Sequence, residues 1–237
     1  MTLPKMIVFD NGSTLTWEPE FDPLRAARAI LPHMTKNPLG LSAEEIAAER
    51  QQVFREIQPV REAGFELHEW MLAKLAYGRL GIEFDVDAAE LEGIYWTALS
   101  AGEIAPHADE LLDHLRAKGI RTGVISNVIF SGRALKERLD RLLPNNSFEF
   151  IIASSEYTVR KPGRSLFEAA AFKAGLSPGE MWYCGDSVRK DVIGSHDAGM
   201  TPVLYEGITK KGRAPDAVAD FPYLRIADWR EMIELLS

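Results

Sequence analysis

The sequence predicts an α/β fold, a doubly wound parallel sheet with an all-helical segment inserted near its start. Three observations carry that reading. From Gly102 onward, amphipathic helical stretches alternate with apolar runs of strand length. From residue 16 to 101 the apolar periodicity is helical, interrupted by Pro and Gly, with no convincing strand. Polar clusters punctuate the pattern: Asp10, Ser126-Asn127 and Asp186-Ser187 each end an apolar run, and Arg160-Lys161-Pro162 stands between a strand and a helix. The division this implies is a core of residues 1–15 and 102–237 and a helical unit of residues 16–101.

Taken in order, Met6-Ile7-Val8-Phe9 is a buried strand that runs into Asp10 and a Gly-Ser-Thr loop. Asp22-Pro23 supplies an N-cap and a first-turn proline for a helix through Ala26, Ala27 and Ile30. Ser42-Ala43-Glu44-Glu45 is a capping box opening a helix to about Pro59. Leu67, Trp70, Met71, Leu75 and Leu80 repeat at helical spacing up to Gly81, and Asp87 opens a helix with Leu91, Ile94, Tyr95 and Leu99 on one face. Beyond Gly102, helices are expected at Pro106–Lys118, Ser131–Leu143, Ser165–Ala174, up to Ala198-Gly199, and at Trp229–Leu236. Strands are expected at Arg121–Ile125, Phe148–Ala153, Met181–Cys184 and Thr201–Tyr205, which right-handed crossovers would assemble in parallel.

Composition narrows the function. A hydrophobic fraction of 46% and a charged fraction of 26% over 237 residues are those of a globular chain with a sizeable core. A formal net charge of −8 argues against nucleic acid as a partner; Thr209-Lys210-Lys211-Gly212-Arg213 is a local basic run that reads as a solvated loop. No apolar run approaches membrane-spanning length and no signal pattern opens the chain, so a cytoplasmic protein is expected. Cys184, the one cysteine, excludes an internal disulfide and reads as a buried strand residue, not a reactive thiol.

If the strands are parallel neighbours, the polar clusters share one rim, the carboxyl edge where open α/β sheets bind ligands. Asp10 and Asp186 are hard oxygen ligands from separate strands, with Asp191 one helical turn beyond the latter, a set suited to magnesium completed by substrate phosphate oxygens. The Ser126 hydroxyl and Asn127 amide can donate to a phosphoryl oxygen, and Lys161 adds a compact cation. Asp10 could then attack phosphorus to give an aspartyl-phosphate that water hydrolyses.

These residues resemble the four motifs of the haloacid dehalogenase-like (HAD) superfamily, in the branch whose Rossmann-like core carries a helical cap inserted after motif one. Phe9-Asp10-x-x-x-Thr14-Leu15 resembles motif one and Val124-Ile125-Ser126-Asn127 motif two. Val159-Arg160-Lys161-Pro162-x-x-x-x-Phe167 resembles motif three, and Gly185-Asp186-Ser187-x-x-x-Asp191 motif four, with Gly194 and Ala198-Gly199 following. The resemblance implies Asp10 as nucleophile and metal ligand, Asp186 as a second ligand, and Asp191 in support of the metal. Ser126, Asn127 and Lys161 would hold the phosphoryl group and orient Asp10, Thr14 would be a structural hydroxyl, and the substrate would be a small phosphorylated metabolite.

One position departs from the family pattern. Where most family phosphatases carry a second Asp as general acid and base, this chain has Gly12. Its carbonyl can still reach a metal, but it has no group to protonate a leaving alkoxide, so good leaving groups or a substitute acid are expected. Glu18 and Glu20 are the nearby candidates. Family dehalogenases also lack the second Asp but dispense with the metal, whereas Asp186 and Asp191 are intact here. Phosphonoacetaldehyde hydrolase has a small residue at this position but needs a cap lysine; Lys36 and Lys74 are the only lysines available and stand in no matching context. A fold that binds a phosphorylated ligand without turnover is the remaining alternative. Trp17, Trp70, Tyr95 and Trp96 could line a pocket, with core packing the commoner use of such residues.

Overall fold

The computed structural model describes residues 3–208 and 216–237; the basic run at 209–213 lies outside them. The chain order is β1 (Met6–Phe9), β2 (Thr16–Trp17), α1 (Pro23–Ile30), β3 (Met34–Lys36), α2 (Ala43–Glu62), α3 (Glu69–Leu80), β4 (Glu83–Phe84), α4 (Ala88–Leu99) and β5 (Glu103–Ile104). It continues with α5 (Ala108–Ala117), β6 (Arg121–Ser126), α6 (Gly132–Leu142), β7 (Phe148–Ala153), α7 (Ser154–Tyr157), α8 (Arg164–Ala174), β8 (Met181–Gly185), α9 (Gly194–Asp197), β9 (Thr201–Tyr205), β10 (Leu224–Ile226) and α10 (Trp229–Leu235).

Six strands form one parallel sheet in the order β10-β9-β8-β1-β6-β7, with β1 at its centre. The central position explains why β1 is apolar at every residue and not at alternate ones: helices cover both sheet faces. Ile7 and Phe9 point into a core shared with α5, α6 and α10, whereas Met6 and Val8 pack with Phe167 and Ala170 of α8. Both faces of β1 are fully buried.

Local signals in the helices act as expected. Asp22 caps α1 by accepting from Arg25 N at 2.8 Å, and Ser42 and Glu45 close a reciprocal capping box on α2. That helix runs through Pro59 to Glu62, because a proline in the last turn removes a single backbone bond. The expectation of no strand between residues 16 and 101 is corrected. β2 pairs antiparallel with β5, and β3 with β4. Ladders of two or three residues are too short to show an alternating pattern. Strand β10 and the short helix α7 also escape the pattern, for the same reason of length.

The helical segment is fastened to the sheet unit by polar contacts. Arg138 of α6 donates to both Glu18 carboxylate oxygens at 2.7 Å and to the Ser100 carbonyl at 2.8 Å, tying together the two chain crossings. Glu92 of α4 accepts from Ser131 N at 2.7 Å and Ser131 Oγ at 2.6 Å, and Trp96 stacks on Phe130 at 4.2 Å. Among the described residues no helix is long and apolar enough to cross a membrane.

Candidate active site

Register decides what meets at the rim. Phe9 pairs with Val124 on one side and Cys184 on the other, so β1, β6 and β8 run out beside one another at Asp10, Ser126 and Gly185. Asp10 N–H donates to Cys184 O at 2.8 Å, which anchors the strand's last step. The chain then turns sharply. The Asn11 carbonyl collects the N–H groups of Thr14, Leu15 and Thr16 at 3.0–3.2 Å, with Ser13 at φ 60 between them. Thr14 Oγ1 stands 3.5 Å from Asp10 Oδ2, at the limit of a hydrogen bond, consistent with a structural hydroxyl.

Lys161 is the hub. Its Nζ donates to Asp10 Oδ1 at 2.7 Å, Asp191 Oδ1 at 2.7 Å and Tyr183 OH at 2.6 Å, using all three ammonium protons. Its side chain is 1% exposed. Tyr183 in turn donates to the Ile125 carbonyl at 3.2 Å. Asp191 Oδ2 accepts from Ser187 N at 3.0 Å, and its carboxyl packs so closely on Gly185 that a Cβ there would collide with it. Gly185 is therefore required for Asp191 to reach the rim.

The electrostatics follow from burial. Burial works against the Lys161 ammonium, but Asp10 and Asp191 outweigh it and hold its pKa above the ordinary lysine value. Burial raises Asp10, opposed by Lys161 and assisted by Asp191. Asp186 is pushed up to about 7 by burial and by repulsion from Asp10 and Asp191. Carboxylate oxygens of Asp10, Asp186 and Asp191 lie within 4.8 Å of one another. Three carboxyl groups face a single ammonium, a cation placed among them would relieve the repulsion that helps lift Asp186, and the donors are all hard oxygens. That set fits a divalent cation such as magnesium.

Other sequence-predicted residues fall differently. Asn127 engages the lysine's own backbone: its Oδ1 accepts from Lys161 N at 2.8 Å and its Nδ2 donates one of its two protons to Lys161 O at 3.0 Å. Ser126 ends β6 and is buried. Gly12 is exposed, and a Cβ built on it meets nothing within 4 Å. The candidate substitute acids are occupied, Glu18 with Arg138 and Glu20 with Arg25 at 2.6 Å. Lys36 pairs with Glu83 at 2.8 Å. Cys184 is buried, and burial pushes its thiol well above the ordinary value. Tyr95 and Trp96 are buried as expected of core residues, but Trp70 is 44% exposed.

Two participants carry no sequence signal. Tyr183 reads as one more apolar strand residue. Glu66, fully buried, joins Arg61 at 2.8 Å and Arg160, while Glu66 N–H donates to Thr158 O at 2.9 Å and Arg160 N–H to Gly64 O at 3.0 Å. The helical segment thereby grips the loop that carries Lys161. Only pairing of distant segments creates that contact.

A family model described as haloacid dehalogenase-like hydrolase matches residues 4–199. A glyceraldehyde 3-phosphate phosphatase of Methanopyrus kandleri is 28% identical over 200 residues, spanning 83% of this chain and 81% of its own. The crystal structure of a HAD phosphatase from Thermococcus onnurineus aligns with a TM-score of 0.62 at 23% identity, covering 98% of this chain and 97% of its own. A 2-haloacid dehalogenase from Pseudomonas syringae aligns with a TM-score of 0.65 at 21% identity, covering 99% and 98%. The two structural likenesses speak for the fold alone.

Proposed function

The chain belongs to the haloacid dehalogenase-like hydrolases, and from that premise we propose a magnesium-dependent phosphatase of small phosphorylated metabolites. The observation that supports it best is the cluster of Asp10, Asp186 and Asp191, the first and last of them buried and bonded to Lys161. A phosphatase relative spanning most of the chain points the same way and favours compact substrates such as a three-carbon phosphate. The same cluster speaks against a metal-free dehalogenase, because three carboxyl groups crowded beside one ammonium are relieved by a cation.

In this reading Asp10, Asp186, the Gly12 carbonyl and, in support, Asp191 would hold the metal, which when bound would supply positive charge to phosphoryl oxygens. Asp10 attacks phosphorus, the bond from phosphorus to the leaving oxygen breaks, and an aspartyl-phosphate forms. Water then attacks that phosphorus, releasing inorganic phosphate and restoring the carboxylate. Lys161 opposes the upward shift that burial imposes on Asp10 and holds it in place, Asn127 fixes the Lys161 backbone, and Ser126 contributes a hydroxyl at the rim. Residues 16–101 serve as a cap over the core formed by residues 1–15 and 102–237, excluding water from the reaction.

Gly12 offers no proton, so the leaving oxygen must take one from solvent. That favours aryl and other good leaving groups, and it keeps open a protein that binds a phosphorylated ligand with little turnover. p-Nitrophenyl phosphate with and without magnesium tests the reading. Metal-dependent release of p-nitrophenol, lost in Asp10→Asn, is expected. Release that survives Asp10→Asn, or that ignores magnesium, refutes it.

A further inference from the structure

Three acids of the helical segment bond the sheet unit: Glu18 meets Arg138, Glu92 meets Ser131, and Glu66 meets the loop that ends in Lys161. Glu66 stands in the turn between α2 and α3 and is fully buried. One carboxylate oxygen accepts from Arg61 Nε at 2.8 Å; the other accepts from Arg160 Nη1 and from the Ser154 hydroxyl at 3.1 Å. Ser154 Oγ in turn accepts from Val128 N at 2.9 Å. Through Ser154, one carboxylate joins the residue before Lys161 to the residue after Asn127, whose amide brackets the Lys161 backbone.

The main chain repeats the connection. Phe65 and Val159 form an antiparallel bridge, with Glu66 N–H donating to Thr158 O at 2.9 Å and Arg160 N–H to Gly64 O at 3.0 Å. Consecutive Cα atoms lie about 3.8 Å apart, so Lys161 inherits the placement of Arg160. From there its Nζ meets Asp10 and Asp191 at 2.7 Å each, a geometry that tolerates little movement of the loop. A buried ion pair contributes little net stability, because desolvation cancels most of its attraction, and its better-attested use is to select one arrangement. Here the arrangement selected is that of the Lys161 loop.

We propose that Glu66 is a positioning residue: from the helical segment it holds the loop 158–161 so that Lys161 stands against Asp10. The helical segment then supplies part of the site's framework as well as its cover. The effect on turnover rests on the phosphatase reading; the placement of Lys161 does not.

The test uses Glu66→Gln and Arg160→Met in the full-length protein, with Glu92→Gln as control, since the Glu92 carboxylate is also buried but bonds Ser131 and not the lysine loop. Arg160→Met leaves Glu66 paired with Arg61, so no lone buried charge opposes its folding. The first readout needs no turnover. Folded protein is treated with N-acetoxysuccinimide, and acetylation of Lys161 is followed by peptide mass spectrometry against Lys5, whose side chain is 65% exposed. Lys161, 1% exposed, should react far more slowly than Lys5 in the wild type, and both loop variants should speed it by about tenfold or more through local opening. Glu92→Gln should change it by less than about twofold. On p-nitrophenyl phosphate the loop variants should lower kcat by about tenfold or more with KM within about threefold, because Lys161 bonds the nucleophile. Arg160→Lys, which keeps the cation, should recover most of that loss. Unchanged Lys161 acetylation in the folded loop variants, or equal changes in Glu92→Gln, overturns the proposal. A wild type that releases no p-nitrophenol refutes the phosphatase reading alone, and acetylation still decides the role of Glu66.

Discussion

Gly12→Asp adds a carboxyl beside the proposed nucleophile at a position with room for it. No atom lies within 4 Å of the new Cβ, and Gly12 is not among the residues with positive φ, so an aspartate backbone is accepted without strain. Gly12 is exposed, and its replacement should change stability by no more than about 0.5 kcal/mol. The gain concerns the barrier. A positioned general acid contributes roughly 10²–10⁴ in rate, about 3–5 kcal/mol. That gain applies where the leaving group needs a proton. Because kcat/KM reports the steps up to phosphoryl transfer, it should rise by about that factor for a primary alkyl phosphate and little for p-nitrophenyl phosphate. Steady-state assays on both substrates, at saturating magnesium, give the ratio directly. If the folded, metal-binding variant leaves alkyl kcat/KM within twofold of wild type, the missing-acid argument is wrong.

Two further perturbations test the supporting structure. Gly185→Ala should drive a methyl into the Asp191 carboxyl, costing about 1–3 kcal/mol by overpacking, and should weaken magnesium binding, read as a smaller metal-induced rise in Tm. Away from the site, the Lys5 ammonium and the Ser177 cap hold Glu180 down at about 2. Its folded pKa lies below its unfolded one, so its stabilisation is present above the unfolded value and is lost as pH falls towards about 2. Glu180→Gln should therefore flatten the fall of Tm with pH between about 4.5 and 3, as thermal melts across that range would show; an unchanged slope would refute the assignment.

Short-range patterning made much of this molecule legible. Met6–Phe9 had to be a strand buried on both faces, because four consecutive apolar residues tolerate no solvent side, and Ser42 and Glu45 announced a helix start through local chemistry alone. Asp10 and Asp186 stood out because each follows an apolar run with a charge that burial penalises unless it is used, and Lys161 because it sits between a strand and a helix. Two-residue ladders such as Thr16–Trp17 with Glu103–Ile104 were not legible, since they carry no period. Nor was the use of Asn127, whose side chain holds the Lys161 backbone from 34 residues away.

By itself, then, the sequence determined the alternation of elements, the parallel α/β class, and which acids stand at strand ends. These depend on near neighbours along the chain and on the cost of burying charge. Tertiary structure alone decided which groups touch. Pairing of β1 with β8 set Tyr183 under Lys161, and the bridge between Phe65 and Val159 brought Glu66 to Arg160 across 94 residues. Such contacts are fixed by strand register and helix packing, whose energies are summed over the whole core and written in no local stretch of residues.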